Sequence, residues 1–386
     1  MPKPLVATPE KELPAFRRRL LAWFRREKRD LEWRRTRDPY RIWVSEIMLQ
    51  QTRVAAVAPY YTQFLARFPT VERLARARED AVLRAWAGLG YYSRARNLRR
   101  AAQEIVTQHG GKFPREMQEA LALPGIGRYT ASAVLSIAYG EPWAVLDGNV
   151  ARVLSRLGAV RGPLRQPRIW RRLEESASGL LARNVAGDWN QAMMELGATV
   201  CTPRTPRCSA CPVARWCRAR AMGIADQLPC ARRAAKPVRL TLAAAVLLDP
   251  RGRTLVVRQS GIARKGVARK TRKEGPKEAT ALFSRLWQFP AVDISAQAGA
   301  EIPGSAAERL SRHLASELGL QAVALQPAGM ARHAVTFHDI RLMPFLARVE
   351  RLPRIPGSRT PRLTEFGALP ISGATRKIAA AALACL

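Results

Sequence analysis

The hydrophobic residues in roughly the first 220 positions recur at helical spacing, with apolar residues three or four positions apart. This spacing is seen at Phe16, Leu20 and Phe24, at Trp43 and Ile47, and at Val57, Tyr61 and Phe64. No strand-like alternation of polar and apolar residues interrupts it. The pattern therefore predicts one helix after another, joined by short turns, from Phe16 to about Arg220.

The pattern changes at Val238. From Arg239 the chain reads RLTLAAAVLLDPRGRTLVVRQ, which is two strand-like runs on either side of a turn at residues 249–252. We therefore predict a multidomain chain. It has an all-α domain at residues 1–227, a polar and basic linker at 228–237, and an α+β domain at 238–386.

The charge balance is strongly basic over the whole chain. The 386 residues carry a formal net charge of +35, and basic residues outnumber acidic ones by 39 to 20 in residues 1–230 and by 26 to 10 in residues 231–386. Arginine exceeds lysine, so part of the excess is a composition bias, but charge spread over both halves favours nucleic acid as a partner. Residues 258–277, with eight basic residues and one acidic residue, predict a loop or disordered insertion, either merely solvated or in non-specific contact with phosphate.

Neither a membrane span nor a secretory signal is evident in the sequence. No apolar run approaches the length of a transmembrane helix, and the first twenty residues lack the apolar core of a signal peptide. We therefore expect a soluble, cytoplasmic protein without a membrane partner. In that compartment the six cysteines indicate metal or redox chemistry rather than disulfides.

Four cysteines follow the pattern C-x6-C-x2-C-x5-C. Four-cysteine zinc sites usually consist of two close pairs separated by a longer spacer, whereas here one pair is bracketed by single cysteines. The spacing therefore favours one [4Fe-4S] cluster over zinc. The predicted ligands are Cys201, Cys208, Cys211 and Cys217, and the isolated Cys230 and Cys385 are interpreted as structural.

The sequence Leu123–Thr130, LPGIGRYT, lies immediately before an apolar helical run. Pro124 ends one helix, and Gly125 and Gly127 allow a turn that no side chain crowds. Such a turn places bare backbone N–H groups at a helix N-terminus, where they can receive a phosphate. An ordinary helix–turn–helix corner is the alternative interpretation.

A single carboxylate, Asp147, stands in the sequence LDGNV just ahead of a further predicted helix that carries Arg152. Its position before a helix is typical of an N-cap. The rest of the chain decides between an N-cap and a functional role, so both interpretations stay open at this point.

These motifs occur in an order that closely resembles the adenine DNA glycosylases of the MutY type, in the helix-hairpin-helix superfamily. The motifs are PYRIWVSEIMLQQT at residues 39–52, GLGYYSRARN at 88–97, LPGIGRYTA, LDGNV and the cysteine pattern. The resemblance spans residues 15–230 and continues more weakly into 238–386, which resemble that family's MutT-like (Nudix-fold) C-terminal domain. It implies an all-α helix-hairpin-helix core with an iron–sulfur loop, followed by an α+β domain.

The resemblance implies removal of adenine mispaired with 8-oxoguanine or guanine in duplex DNA. Glu46 matches the general acid that protonates adenine, and its apolar helix should raise its pKa. Asp147 matches the carboxylate that stabilises the cationic sugar, electrostatically or through a transient covalent adduct. Tyr129 and Asn149 match residues that position this pair and the attacking water.

The resemblance also implies a set of DNA contacts. Side chains that probe or wedge the duplex while adenine is flipped out match Gln51, Leu89 and Tyr91. The surroundings of the flipped adenine match Trp33, Arg34 and Glu195. Contacts to the DNA are further expected from Gly125, Gly127 and Arg152. The family's usual Leu-Pro-Trp is Leu31-Glu32-Trp33 here, a departure from which we expect little effect.

Two other functions compete with this interpretation. The endonuclease III-like glycosylase/lyases use a lysine nucleophile at the position of Tyr129, but no lysine occurs between Lys112 and Lys236. A non-catalytic iron–sulfur DNA-binding protein would not need both Glu46 and Asp147. Both arguments favour an adenine DNA glycosylase acting on double-stranded DNA. We also expect this enzyme to be monomeric and nucleoid-associated.

The C-terminal domain departs from the family in its chemistry-bearing residues. Leu286–Pro290 matches the Nudix strand motif, but residues 306–320 offer only Glu308 and Glu317 where the catalytic box needs a cluster of glutamates. Lesion recognition is therefore expected rather than nucleotide hydrolysis. The family's lesion-reading Phe-Ser-His corresponds here to residues 335–337, so Thr336 and the following His338 are the candidate contacts.

Overall fold

The computed structural model describes residues 10–230, 237–258, 286–295, 305–320, 323–335 and 338–386. Contacts between Cα atoms divide the chain into two compact units, one of residues 1–77 and 91–233 and the other of residues 78–90 and 234–386. The predicted linker at 228–237 includes residues 231–236, and the predicted basic insertion lies almost wholly within 259–285; both stretches fall outside the described residues.

Residues 10–230 form α-helices and short 3-10 turns and contain no strand, as the hydrophobic spacing predicts. The helices are α1 (Leu13–Glu27), α2 (Pro39–Leu49), α3 (Val54–Arg67), α4 (Val71–Arg76), α5 (Glu79–Ala85), α6 (Ser93–Gln108), α7 (Met117–Ala122), α8 (Arg128–Tyr139), α9 (Gly148–Leu157), α10 (Pro167–Leu180), α11 (Ala186–Thr199) and α12 (Arg218–Ala221). Not one of the helices described is long and apolar enough to cross a membrane.

The ends of the helices that carry the candidate residues follow from local sequence. The Asp38 side chain accepts hydrogen bonds from the first N–H groups of α2, and Pro39 takes the first position, where its missing N–H costs nothing. Helix α8 begins after Gly127 and ends at Gly140, whose φ of 76° gives the left-handed C-terminal turn. These caps set the register of α2 and α8, which pack against each other.

One hydrophobic core packs α1, α9 and α11 together. It contains Phe16 and Leu20 of α1, Leu154 of α9 and Trp189 of α11, all buried. The Phe16 and Trp189 rings lie 5.9 Å apart between centroids. Burying each of these side chains stabilises the fold by roughly 1.5–3 kcal/mol, so the two helices are firmly anchored.

The C-terminal unit contains a five-stranded mixed sheet with a helix on each face, which is the α+β architecture expected. Its strands are β1 (Val238–Leu248), β2 (Ala291–Asp293), β3 (Gln326–Pro327), β4 (Ala331–Val335) and β5 (His338–Arg348), in the order β2-β1-β5-β3 with β4 also paired to β5. Strands β1 and β5 are parallel, and the other pairs are antiparallel. Alternate residues of β1 pack toward α13 (Ala306–Leu318) and α14 (Gly373–Leu383).

The second predicted strand of this unit is not a regular strand. Residues 254–257 are joined to neighbouring segments only by isolated bridges, such as Val256 with Arg359 and Val257 with Gln288. The predicted turn before it is present: Asp249 accepts hydrogen bonds from two backbone N–H groups, and Gly252 has a φ of 71°. The predicted turn is therefore present. After it, Thr254 bridges back to Leu248 at the end of β1, and the residues that follow pair with separate segments.

Helix α11 packs so closely on α8 that a methyl group cannot be added at Gly187. A Cβ there would lie 2.6 Å from the Ser136 carbonyl oxygen and 2.9 Å from Ile137 Cα. Because both are backbone atoms, we expect Gly187→Ala to destabilise the chain by about 1–3 kcal/mol. Thermal unfolding followed by circular dichroism measures this.

The control is Gly179→Ala in α10, where an added Cβ meets nothing within 4 Å. It makes the same chemical change and should stabilise by up to about 1 kcal/mol through helix propensity. Equal melting temperatures for the two variants would contradict the close approach of α11 to α8.

Candidate active site

A cavity of about 200 Å³ opens among α2, α8, α9, α11 and the segment that follows α1. It brings together all seven residues predicted for catalysis and for the adenine pocket. They are Trp33, Arg34, Glu46, Tyr129, Asp147, Asn149 and Glu195. These residues come from five separate segments, so only the tertiary fold makes them neighbours.

Glu46 is the buried acid of the cavity, with 4% of its surface exposed. Burial raises the pKa of Glu46 to about 7, and the nearby Asp147 charge acts in the same direction. The Tyr129 hydroxyl donates a 2.6 Å hydrogen bond to Glu46 Oε2, which partly opposes that rise. Burial also raises the pKa of Tyr129, so the phenol stays protonated and remains a donor.

Asp147 caps a helix and also lines the cavity. Its Oδ1 accepts a 2.7 Å hydrogen bond from the Val150 N–H and so caps α9. Its Oδ2 accepts a 2.9 Å hydrogen bond from the Asn149 side-chain amide, and the residue lines the cavity. Burial raises the pKa of Asp147, while these two hydrogen bonds favour the carboxylate.

Glu195 is paired rather than free to exchange a proton. Arg29 donates to both of its carboxylate oxygens, at 2.8 and 2.7 Å, and Arg34 donates to Oε2 at 2.7 Å. Burial alone would raise the pKa of Glu195, but the two arginines hold it at about 2. Sequence reasoning missed Arg29, because one arginine among so many carries no signal of its partner.

The cavity therefore contains carboxyl groups of different character. Glu46 can hold a proton near neutral pH, Glu195 remains an anion, and Asp147 is held by two donors that favour its charged form. A proton donor and an anion in one cavity are the two groups that cleavage of a sugar–base bond requires.

The LPGIG turn has the geometry expected of an anion-binding hairpin. Gly125 adopts a φ of 77°, and a Cβ there would lie 2.7 Å from Asn97 Cβ, so glycine is required. Gly125 and Gly127 are both exposed, and no side chain caps the N-terminus of α8. The first N–H groups of α8 are therefore open to an anion that approaches from outside the protein.

The three predicted probe residues do not share one environment. Gln51 is exposed, and Tyr91 is 38% exposed, which excludes a core role for that ring. Leu89 is only 7% exposed, so its position does not support the predicted DNA contact. Gln51 and Tyr91 have positive φ angles of 57° and 47°, which are uncommon for residues other than glycine.

Arg152 corrects another prediction, since it points into the protein rather than toward DNA. It is 9% exposed, and its guanidinium donates to Asn149 Oδ1, the Gly197 carbonyl and the Cys201 carbonyl, each at 2.9 Å. These hydrogen bonds orient Asn149 and connect α9 to the start of the cysteine loop. The positive charge alone could not distinguish these two roles.

The four cysteines of the predicted cluster line one small cavity, of about 20 Å³. In the described part of the chain, no three His, Cys, Asp or Glu side chains are close enough to hold a single metal ion. Arg156, 1% exposed, donates to Cys201 Sγ at 3.2 Å and to nearby carbonyls.

The predicted lesion-reading residues are only partly described. His338 is the first residue of β5 and pairs with Val335 of β4, whereas Thr336 lies outside the described residues. In α13, Glu308 accepts from the Ser305 N–H at 2.9 Å in a capping box. This cap explains Glu308 without a bound metal ion.

Comparison with known families identifies the helical part. Residues 44–177 match the family described as HhH-GPD superfamily base excision DNA repair protein, and residues 201–217 match the iron–sulfur binding domain of endonuclease III. A solved thermostable thymine-DNA glycosylase is similar over 55% of this chain and 98% of its own, at 30% identity and a TM-score of 0.50. The chain belongs to the HhH-GPD superfamily. The superfamily and the [4Fe-4S] cofactor predicted from the motifs are thereby confirmed.

Curated relatives of this superfamily member are named adenine DNA glycosylase. The human protein is 48% identical over 226 residues, covering 56% of this chain and 41% of the relative. The Buchnera aphidicola (Acyrthosiphon pisum) protein is 38% identical over 203 residues, covering 52% and 58%. The chain thus spans between about two fifths and three fifths of these relatives, and the matches are consistent with the MutY type.

The raised pKa of Glu46 makes a prediction about stability. Its folded pKa of about 7 lies above the ordinary 4.5, so its favourable contribution is full below pH 4.5 and is lost as pH rises through 7. We expect Glu46→Gln to gain stability relative to the parent chain across this range, by on the order of 3 kcal/mol at most.

Denaturant unfolding of both chains at pH 5 and pH 8 measures the difference. The matched control is Glu10→Gln, since Glu10 is exposed. A stability difference for Glu46→Gln that is the same at both pH values would contradict the buried, titrating carboxyl.

Proposed function

We propose that this chain is an adenine DNA glycosylase that hydrolyses the N-glycosidic bond of adenine paired with 8-oxoguanine or guanine in duplex DNA. The observation that carries the proposal is the cavity that holds a protonatable Glu46 and a hydrogen-bonded Asp147 together. The names of the curated relatives support adenine as the base.

Glu46 supplies the proton that adenine needs in order to leave. A carboxyl with a pKa near 7 is about half protonated at neutral pH, where an ordinary glutamate would be ionised. The Tyr129 hydroxyl occupies Oε2, which leaves Oε1 to carry the acidic proton toward the base. Trp33, buried in the same cavity, offers an aromatic face against which the flipped base stacks.

Asp147 stabilises the positive charge that develops on the sugar as the bond breaks. It acts electrostatically or through a transient covalent adduct, and water then completes the hydrolysis. Asn149 holds the carboxylate at 2.9 Å and is itself held by Arg152, so this charge is fixed before the reaction begins. Tyr129 and Asn149 also lie where they can position the attacking water.

The DNA is held by backbone and side-chain contacts of different kinds. The exposed N–H groups after Gly125 and Gly127 receive a phosphate, and Gln51 and Tyr91 occupy the space beside the extruded adenine. In the C-terminal domain, Thr336 and His338 are the proposed contacts to 8-oxoguanine. The net charge of +35 favours binding to the duplex in general.

The lyase alternative lacks its nucleophile, because Tyr129 occupies the position where that class carries lysine. Its phenol is committed to Glu46, and its pKa is raised well above the ordinary value, so it is a poor nucleophile. The product should therefore be an intact strand with an abasic site.

Glu46→Gln tests the proposal, because glutamine keeps the size and polarity of the acid but cannot donate its proton. On a duplex with adenine opposite 8-oxoguanine, single-turnover adenine release should fall by about 10²–10⁴-fold or more, while DNA affinity stays close to that of the parent chain. Asp147→Asn should lose a comparable amount. Alkali cleavage of the product strand measures abasic sites.

The matched control is Glu174→Gln, a change of the same type on α10 outside the cavity. Near-normal release by Glu46→Gln would exclude Glu46 as the acid. Strand cleavage without alkali, with borohydride trapping of the chain on DNA, would instead support the lyase class.

A further inference from the structure

Three non-glycine residues in the described part of the chain have a positive φ, and two of them are Gln51 and Tyr91. Both are exposed, both are proposed to act on the duplex, and the turn that carries Gln51 borders the cavity at Leu49 and Thr52. Left-handed backbone at such residues persists only where neighbouring groups hold it. One side chain, Arg94, contacts both turns.

The Arg94 guanidinium binds the chain on each side of Gln51. Its Nη1 donates to the carbonyls of Ile47 and Met48, at 2.8 and 3.0 Å, and also to the Gln50 carbonyl. Its Nη2 donates to Thr52 Oγ1 at 3.3 Å. The carbonyls belong to the last turn of α2 and its C-cap, where no backbone N–H is available to satisfy them. Arg94 therefore holds the backbone in the form that gives Gln51 its left-handed conformation.

The same residue also contacts the second turn. The Arg94 guanidinium carbon lies 5.4 Å from the centre of the Tyr91 ring, and the backbone N–H of Arg94 donates to the Tyr91 carbonyl at 2.9 Å. The distance to the ring is within the range of a cation–π interaction. A planar guanidinium can bind several carbonyls at its edge and an aromatic ring at its face at once, which a lysine ammonium cannot do.

We infer that Arg94 is a positioning residue that locks the two turns together, so that Gln51 and Tyr91 meet the duplex as one rigid unit. The inference rests on the proposed function for the role of these two side chains. Its physical basis is preorganisation: side chains fixed before binding lose less freedom when they enter the DNA.

The contacts of Arg94 also fix the position of the Gln51 turn relative to Glu46. Helix α2 carries Glu46, and Arg94 binds the last turn of that helix. The Gln50 amide donates to Thr130 Oγ1 at 3.2 Å, and Thr130 follows Tyr129, which holds Glu46. A shift of the Gln51 turn would therefore alter both the unstacking of adenine and its approach to the proton donor.

The test separates unstacking from chemistry. The variants are Arg94→Met, which removes charge and donors, and Arg94→Lys, which keeps the charge and secures a folded chain. The probe is a duplex with 2-aminopurine in place of the target adenine, opposite 8-oxoguanine, and its fluorescence rises when the base leaves the stack. Fluorescence is measured in the Glu46→Gln background, and adenine release is measured in the Glu46 chain.

The matched control is Arg99→Met. Arg99 lies on the same helix, α6, and likewise donates to a carbonyl at the end of another helix, Ala77 O at 2.6 Å. That turn carries none of the proposed DNA contacts. Arg99→Met should therefore match the parent chain in fluorescence and in adenine release.

We expect Arg94→Met to lose most of the fluorescence rise and to release adenine about 10²-fold more slowly, with the iron–sulfur absorbance unchanged. Arg94→Lys should recover part of both. Full unstacking by both Arg94 variants, an equal loss in Arg99→Met, or no fluorescence rise with Glu46→Gln alone would overturn the inference. If the parent chain unstacks the base but releases no adenine, the proposed function fails while the role of Arg94 stands.

Discussion

The burial of one carboxyl group, Glu46, is the constraint on which the site depends. A carboxyl with 4% exposure is costly to ionise, so the protein keeps it protonated to near neutral pH and gives it a single phenolic donor, Tyr129. Placing an acid there requires α2 and α8 to pack closely, and α11 packs on α8 through Gly187, which leaves no room for a methyl group. The packing of the helical unit and the pKa of its acid are therefore two results of one arrangement.

The charges around that acid are distributed so that they do not compete with it. Glu195 is neutralised by Arg29 and Arg34, and Asp147 is held by the first turn of α9 and by Asn149. Two buried arginines of α9, Arg152 and Arg156, then connect this helix to the iron–sulfur loop at Cys201. The loop thus supports the helix whose N-terminus holds Asp147, although it lies outside the cavity that contains Glu46.

Much of this was predictable from the sequence, for identifiable reasons. Helical periodicity predicted the helices of residues 10–230. Glycine, proline and cysteine at fixed spacings predicted the hairpin and the iron–sulfur loop, because each of these two features is formed by residues that are close together in sequence. The hydrogen-bond partners of the arginines were not predictable. The sequence around Arg29, Arg94 and Arg152 does not distinguish them in a chain so rich in arginine, and tertiary packing alone brings each to its partner. The regular strand expected at residues 254–257 does not form for a similar reason, since Val256 and Val257 bridge to Arg359 and Gln288, which are distant in sequence.

The most direct test of the account is the protonation state of Glu46 itself. Infrared difference spectra between the parent chain and Glu46→Gln, recorded from pH 5 to pH 9, isolate the carbonyl stretch of that one carboxyl. The account predicts a protonated-carboxyl band at pH 6 that gives way to carboxylate with a midpoint near pH 7. A fully ionised Glu46 at pH 6 would contradict the role of this residue as the buried proton donor.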